Sequence, residues 1–261
     1  MTANGNMQAV VDALGLPTGA RVDARVPKKL LVEQNAPTSA DKRAIQDGID
    51  ELQWFAACKP ATIGVPAFAD DTREYLEIAI VGCAFRPDVN GKPAKAARLI
   101  ELIHRAIPYP VVLITTDESG LAVSAAHKRQ AHNEAGRTVI ERVVAATGLH
   151  LETGDAAEAA FLKSLPLAKQ PRADLHALYG GWLARIEALN AARLTGAFAA
   201  TDDGDDIGRR RDALDAHARL AKEIDTLRAR AQREKQLNRR VNLNMEIQRR
   251  EAELTAYKKN L

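Results

Sequence analysis

The C-terminal segment, residues 209–261, constrains the fold more than any other part of the sequence, because it contains neither proline nor glycine. Leu220, Ile224 and Leu227 recur there at intervals of four and three, the spacing of one face of an α-helix. A helix of about 50 residues would be roughly 75 Å long. One narrow apolar stripe cannot stabilise such a helix alone. We therefore expect this segment to pack on a partner helix or to fold back as a hairpin.

The apolar stripe of this segment is a candidate seam for self-association. Its members are Leu220, Ile224, Leu227, Leu237 and Val241. The stripe drifts around the helix beyond Leu227 and is interrupted by asparagines, so the pattern is coiled-coil-like rather than a strict heptad. If the chain forms a homo-oligomer, we expect it to do so through this seam.

The net charge of the chain is unevenly distributed. The whole sequence has a formal net charge of +3, from 37 Lys and Arg and 34 Asp and Glu. Residues 209–261 contain 15 Lys and Arg and 8 Asp and Glu, so they contribute +7 and the remainder contributes −4. Basic side chains on a helix can bind the phosphates of nucleic acids. The candidate DNA contacts are Arg209, Arg210, Arg211, Arg239, Arg240, Arg249 and Arg250.

These arginines have a second interpretation. Arginine on a long exposed helix is usually solvated or paired with a carboxylate one turn away, as Arg250 could be with Glu246. Aromatic side chains interleaved with basic residues, which single-strand binders use for stacking, are nearly absent from the segment. The charge pattern alone therefore leaves direct DNA binding open.

The patterning divides the chain into four segments. Residues 1–150 predict an α/β (α+β) domain with a small mixed sheet, because strand-like and helix-like apolar patterns alternate. Residues 151–200 predict a helical extension. Residues 201–208 are acidic and contain glycine, which predicts a linker. Residues 209–261 predict a basic amphipathic C-terminal helix or helical hairpin.

Local patterns predict individual elements within these segments. Apolar or β-branched runs predict strands at residues 62–65, 75–85 and 111–115. Apolar spacing of three and four predicts helices at residues 39–55, 94–106, 139–146, 156–165 and 171–194. The first half of the chain is therefore expected to form one compact α/β domain.

The most serious catalytic candidate is a degenerate or metal-dependent nuclease of the restriction-endonuclease type. Such enzymes use an acidic residue, and then Glu-x-Lys or Asp-x-Lys on the next strand, to hold a metal ion and activate water. Asp71 precedes a strand that carries Glu77, but the position two residues after Glu77 is Ala79. Asp71 and Glu77 would act as metal ligands if they met a lysine in a cleft. A buried and paired Glu77 would instead favour a non-enzymatic protein.

Other catalytic and metal-binding patterns are missing from the sequence. It contains no Walker phosphate loop, no G-x-G-x-x-G, no G-x-S-x-G and no H-E-x-x-H motif. The histidines and the two cysteines lack the spacing of a metal site. We expect no cofactor and no metal. No signal peptide or membrane-spanning run is evident, so we expect a cytoplasmic protein that does not bind membranes.

Three stretches of the sequence resemble a known bacterial family. They are residues 25–34 with 47–65, residues 77–85 with 99–115, and residues 234–254. The resemblance rests on Pro-Lys-Lys in the first, Ile-Pro before the central strand, and Asn-Arg-Arg-Val-x-Leu-Asn in the third. Together they resemble the family labelled domain of unknown function 4391, over nearly the whole chain. The resemblance implies gene neighbours such as helicases and DNA methyltransferases in defence-type clusters, and it carries over no catalytic residues.

These observations lead to one principal expectation and two alternatives. The chain is expected to be a non-enzymatic accessory or adaptor subunit of a bacterial DNA-processing or anti-phage defence system. Its α/β body would dock on a helicase or DNA methyltransferase, and its C-terminal helix would oligomerise or contact DNA. One alternative is a DNA-binding protein in its own right. The other is a nuclease that uses Asp71 and Glu77.

Overall fold

The computed structural model divides into two compact units, an α/β unit of residues 1–186 and a helical unit of residues 187–261. The structure describes residues 3–35, 38–118, 120–131 and 138–258. The mixed α/β class and the helical C-terminal region predicted from the sequence are both present. No helix among the described residues is long and apolar enough to cross a membrane.

The secondary structure alternates between strands and helices in the first unit and is helical in the second. The strands are β1 Arg21–Arg25, β2 Ile49–Cys58, β3 Phe68–Ala69, β4 Glu74–Tyr75, β5 Ile78–Phe85, β6 Val111–Asp117, β7 Gly120–Gln130 and β8 Thr138–Leu149. The helices are α1 Ala3–Ala13, α2 Lys28–Asn35, α3 Ser39–Gly48, α4 Pro60–Ile63, α5 Pro93–Ala106, α6 Ala156–Ser164, α7 Leu175–Thr195, α8 Gly204–Arg233 and α9 Leu237–Lys258.

A mixed sheet organises the α/β unit. Within the described part of the chain, six strands lie in the order β1-β2-β5-β6-β7-β8, and β3 pairs with β4 separately. β5 and β6 are parallel and are joined by α5, whereas the other neighbours are antiparallel. β5 is buried along nearly its whole length, which explains its almost continuous apolar sequence.

The two faces of β5 pack on different groups. Ala79, Val81 and Cys83 belong to the hydrophobic core that α5 completes. On the other face, Gly82 lies against the Phe55 ring, and a Cβ at this position would overlap that ring and lie 3.2 Å from the Met7 sulfur. Glycine is therefore required here for close approach of the β5 backbone to its neighbours.

The strand β1 forms one edge of the sheet and is exposed at all its residues. Its pairing with β2 is irregular between Arg21 and Ala24, where Asp23 takes a positive φ of 49°. A bulge of this kind twists an edge strand and interrupts its ladder of hydrogen bonds.

The helix predicted over residues 39–55 is wrong in its second half. α3 ends at Gly48 and β2 begins at Ile49. The register of β2 against β5 shifts between Ile49 and Glu51 and again between Trp54 and Ala56. Each irregularity displaces the two-residue alternation of buried side chains, so that Ile49, Leu52 and Phe55 are spaced by three, as on a helix.

Two further local predictions are also wrong. Residues 139–146, predicted as a helix, lie in β8, because their β-branched residues pair with β7. Residues 62–65, predicted as a strand, instead contain the C-terminal end of α4. Pro60 occupies the first turn of this helix, and Gly64 caps its C-terminus at a φ of +66°. The predicted helices at 94–106, 156–165 and 171–194 are confirmed as α5, α6 and α7.

The C-terminal segment forms a helical hairpin, the second of the two arrangements expected from its sequence. α8 and α9 are joined by residues 234–236. Ile224 and Leu227 of α8 pack with Ile247 of α9 in the centre of the hairpin. The Arg228 guanidinium lies 2.7 Å from the Glu251 carboxylate and links the two helices at their surface.

Much of the acidic segment expected as a linker is helical. The Asp203 carboxylate accepts a hydrogen bond from the backbone N–H of Asp206, so Asp203 is the N-cap of α8. Asp205 and Asp206 then lie in the first turn, where negative charge is favourable. Residues 204–208 therefore begin the hairpin rather than preceding it.

Candidate functional site

Glu77 lies in a cavity of the α/β unit, immediately before β5. Its carboxylate is 3.1 Å from the Lys59 ammonium, and its side chain is only 16% exposed. The cavity has a volume of about 530 Å³. Its polar lining includes Lys59, Glu74, Glu77, Tyr109, Lys128 and Arg129. A carboxylate and a lysine thus meet in a cavity, which is one part of what the nuclease interpretation requires.

The second nuclease candidate, Asp71, is not among the described residues that line this cavity. It is exposed in the turn between β3 and β4. The adjacent Asp70 carboxylate accepts hydrogen bonds from the backbone N–H groups of Thr72 and Arg73, and those bonds lower the pKa of Asp70. Within the part of the chain that the structure describes, no three His, Cys, Asp or Glu side chains are placed to hold a metal ion.

Lys128 lines the same cavity but has a structural role. Its buried ammonium donates hydrogen bonds to the carbonyls of His104, at 2.7 Å, and of Ile107. These carbonyls belong to the C-terminal end of α5, where a cation is favourable. Burial lowers the pKa of Lys128 to about 7. The sequence offers one signal for this role. Lys128 closely follows the mostly apolar residues 121–126, which predict a buried strand.

His104 is a buried polar residue that sequence reasoning missed. Its Nε2 atom is 3.0 Å from the Ser124 hydroxyl, so the pair links α5 to β7. Burial lowers the pKa of His104 to about 3, which keeps the imidazole neutral. The neighbouring apolar residues of α5 were the available signal, because a histidine within a buried helix face is itself buried.

An aromatic cluster joins β4, β7 and α7 within the α/β unit. The Tyr75 hydroxyl is 2.8 Å from His127 Nδ1, and the His127 and His176 rings lie 4.9 Å apart. The Tyr179 hydroxyl accepts a hydrogen bond from the backbone N–H of Ala126 and lies 2.8 Å from the carbonyl of Val111. Burial raises the pKa of Tyr75 to about 12, so its hydroxyl remains neutral. The cluster holds the first turns of α7, around His176 and Tyr179, against the sheet.

Most of the arginines predicted to contact DNA have partners within the helical unit. The ion pairs are Arg209–Asp206, Arg211–Glu187 at 3.0 Å, Arg249–Glu246 at 3.6 Å and Arg250–Glu253 at 2.9 Å. Arg210 is buried and donates a hydrogen bond to the Ala199 carbonyl at 2.7 Å. The positive charge at these positions is thus largely offset.

Arg239 and Arg240 are different, because both are exposed and neither meets a carboxylate among the described residues. They lie in the first turn of α9, next to three further exposed cations. We refer to this group as the basic tip; it consists of Arg230, Arg233, Lys235, Arg239 and Arg240. Glu234 is the only acidic residue in the sequence between 229 and 245. Its carboxylate accepts a hydrogen bond from the backbone N–H of Gln236. The basic tip therefore carries a concentrated positive charge.

The structure divides the predicted interaction seam into two parts. Leu220, Ile224 and Leu227 are buried within the helical unit. In contrast, Leu237 is 63% exposed and Val241 is 47% exposed. Sequence reasoning placed all five on one surface because it could not determine where the helix folds back.

Comparison with known proteins gives one match. A family model described as Domain of unknown function (DUF4391) matches residues 14–254. Neither curated proteins nor solved structures give a match. The matched range includes the cavity that holds Glu77 and the basic tip.

Proposed function

The chain belongs to the family Domain of unknown function (DUF4391), and on that premise we propose that it is a non-enzymatic accessory subunit of a bacterial DNA-processing or anti-phage defence system. In this proposal its α/β unit docks on a helicase or DNA methyltransferase, and its hairpin contacts DNA. The observation that carries the DNA contact is the basic tip, whose cations meet no carboxylate in the described structure.

The physical basis of this contact is electrostatic. A cation that is already paired with a carboxylate adds little binding free energy when it contacts a phosphate. An unpaired cation neutralises the phosphate and so releases a counterion from the DNA, which favours binding. Five such contacts would give a log–log salt slope of roughly −4.5. The 30 residues of α8 separate the tip from the start of that helix by about 45 Å, so the tip lies at the far end of the hairpin from the N-terminus of α8.

The DNA contact is tested by measuring the binding of the full chain to a labelled duplex at several salt concentrations. Replacing Arg239 and Arg240 with glutamine should reduce the magnitude of the salt slope by about two, because two phosphate contacts are removed. The matched control replaces Arg209 and Arg249, which are ion-paired, with glutamine. The control should keep most of the slope. Equal losses in both variants, or no binding by the wild type at low salt, would contradict the contact.

The partner is tested separately by co-expression with a helicase or DNA methyltransferase from the same bacterium. The proposal expects a complex that survives size exclusion at moderate salt, and DNA binding by the complex that exceeds binding by the chain alone. A chain that forms no such complex but binds duplex DNA tightly at physiological salt would instead support a DNA-binding protein in its own right.

The nuclease alternative retains one specific observation, the meeting of Glu77 and Lys59 at 3.1 Å in the cavity. If this pair acts on DNA, cleavage with magnesium or manganese should be abolished by Glu77→Ala and should persist in Asp71→Asn, because Asp71 lies outside the cavity lining. Cleavage that survives Glu77→Ala would eliminate the site. The pairing of Glu77 with Lys59 agrees better with the accessory role.

A further inference from the structure

Leu237 occupies an unusual position at the end of the hairpin. It is the first residue of α9 and is 63% exposed. Lys235 precedes it and Arg239 follows it, so a large aliphatic side chain stands within the basic tip. Exposed apolar surface next to concentrated charge often marks a contact with another molecule.

The fold of the hairpin does not account for Leu237. The core of the hairpin uses Ile247, with Leu243 and Leu254 packed against it. At about 100° per residue, Leu237 lies roughly 80° to 120° away from these residues around α9, so it stands beside the core-facing stripe and is not part of it. Its exposure is therefore a property of the surface rather than of internal packing.

A second copy of the chain is a poor occupant for this surface. Leu237, Val241 and Met245 are exposed along one face of α9. Three side chains fall far short of the roughly 20–30 residues on each side of a standard interface. Two basic tips brought together would also repel each other. The positive charge favours a polyanion, and an aliphatic side chain among cations favours one that also presents apolar faces.

We propose that Leu237 inserts between neighbouring bases of duplex DNA while the basic tip holds the flanking phosphates. The inference rests on the proposed DNA contact. Proteins that distort DNA use aliphatic wedges beside arginine and lysine in this way. Separating stacked bases is unfavourable, and it is least unfavourable where pairing is already weakened. The tip should therefore prefer a duplex with a mismatch over a fully paired one.

The test compares two duplexes that differ by one mismatch, with 2-aminopurine beside it, and uses the full chain. The wild type should bind the mismatched duplex about tenfold more tightly and should raise the 2-aminopurine fluorescence. Leu237→Ala should lose both effects and keep its affinity for the paired duplex within about twofold, because the phosphate contacts remain. Met245→Ala is the matched control. Met245 is equally exposed on the same helix face, about 12 Å from Leu237 along the axis, and its variant should behave as the wild type.

The outcomes separate this inference from the proposed function. DNA binding without a mismatch preference, or a preference that Leu237→Ala retains, overturns the wedge and leaves the DNA contact standing. Binding to anionic phospholipid vesicles that Leu237→Ala abolishes, without any mismatch preference, also overturns it. A wild type that binds neither duplex overturns both the wedge and the DNA contact.

Discussion

At the scale of single residues, His104 makes the stability of the protein depend on pH. Burial lowers the pKa of His104 from 6.5 to about 3, so between these values the unfolded chain binds a proton that the folded chain does not. The contribution of His104 to stability is therefore fully present above pH 6.5 and is lost as the pH falls toward 3. The unfolding equilibrium constant should rise by up to tenfold per pH unit in this window.

We expect His104→Gln to remove this part of the acid sensitivity. Urea unfolding of the wild type and the variant at pH 7 and pH 4 provides the measurement, and the wild type should lose more stability between the two. His150→Gln, at an exposed histidine, is the control and should follow the wild type. An identical loss in wild type and His104→Gln would show that His104 does not titrate in this way.

Gly82 gives a prediction about packing. An alanine at this position would overlap the Phe55 ring and lie close to Met7, so Gly82→Ala should reduce the free energy of unfolding by about 1–3 kcal/mol. Gly19→Ala is the control, because a Cβ at Gly19 meets nothing within 4 Å. Thermal or chemical unfolding measures both, and equal stability of the two variants would contradict the close approach at β5.

At the scale of elements, the hairpin gives the clearest contrast between residues of similar sequence pattern. Ile224 is 3% exposed in the hairpin core, whereas Val241 is 47% exposed. Ile224→Ala should destabilise the helical unit by about 2–4 kcal/mol, because it leaves a cavity. Val241→Ala should change stability by less than about 0.5 kcal/mol. The loss of helical circular dichroism on heating measures both, and similar transitions would be inconsistent with the folded-back arrangement.

Sequence patterns predicted the elements that have one clear period. α5 and α7 have regular spacing of three and four, and β5 is apolar throughout because both of its faces are covered. β2 was predicted as helix because its irregular pairing produces a spacing of three. β8 was predicted as helix because one-sided burial with irregular pairing resembles an amphipathic helix. In each case the pairing partner, which a local pattern does not contain, decided the structure.

The candidate site shows the same limit. The tail charge indicated a basic surface, and the structure places Arg239 and Arg240 on it. The other arginines were indistinguishable in sequence, because their carboxylate partners depend on helical register or on chain reversal. Glu187, for example, pairs with Arg211 from another helix. For Glu77 the sequence left two interpretations open, a metal ligand or a carboxylate paired with a basic side chain, and Lys59 could not be identified before the order of β2 and β5 was known.

At the scale of the whole molecule, the hairpin bears on self-association. Leu220, Ile224 and Leu227 were expected to hold copies of the chain together, but they are buried within the helical unit. We therefore expect the full chain to be monomeric at micromolar concentration in light scattering. A mass that rises with concentration, and that Val241→Glu returns to the monomer value, would show that the exposed part of the seam does support a homo-oligomer.

The irregular edge strand β1 affects how readily the protein aggregates at high concentration. A regular edge strand offers its unpaired N–H and C=O groups to any other strand and so can nucleate fibrils. In β1, the positive φ of Asp23 interrupts that row of groups, and the charged residues Arg21 and Arg25 stand at the two ends of the strand. A misfolded chain would find no continuous template at this edge, so the sheet should resist growth from β1 into cross-β aggregates.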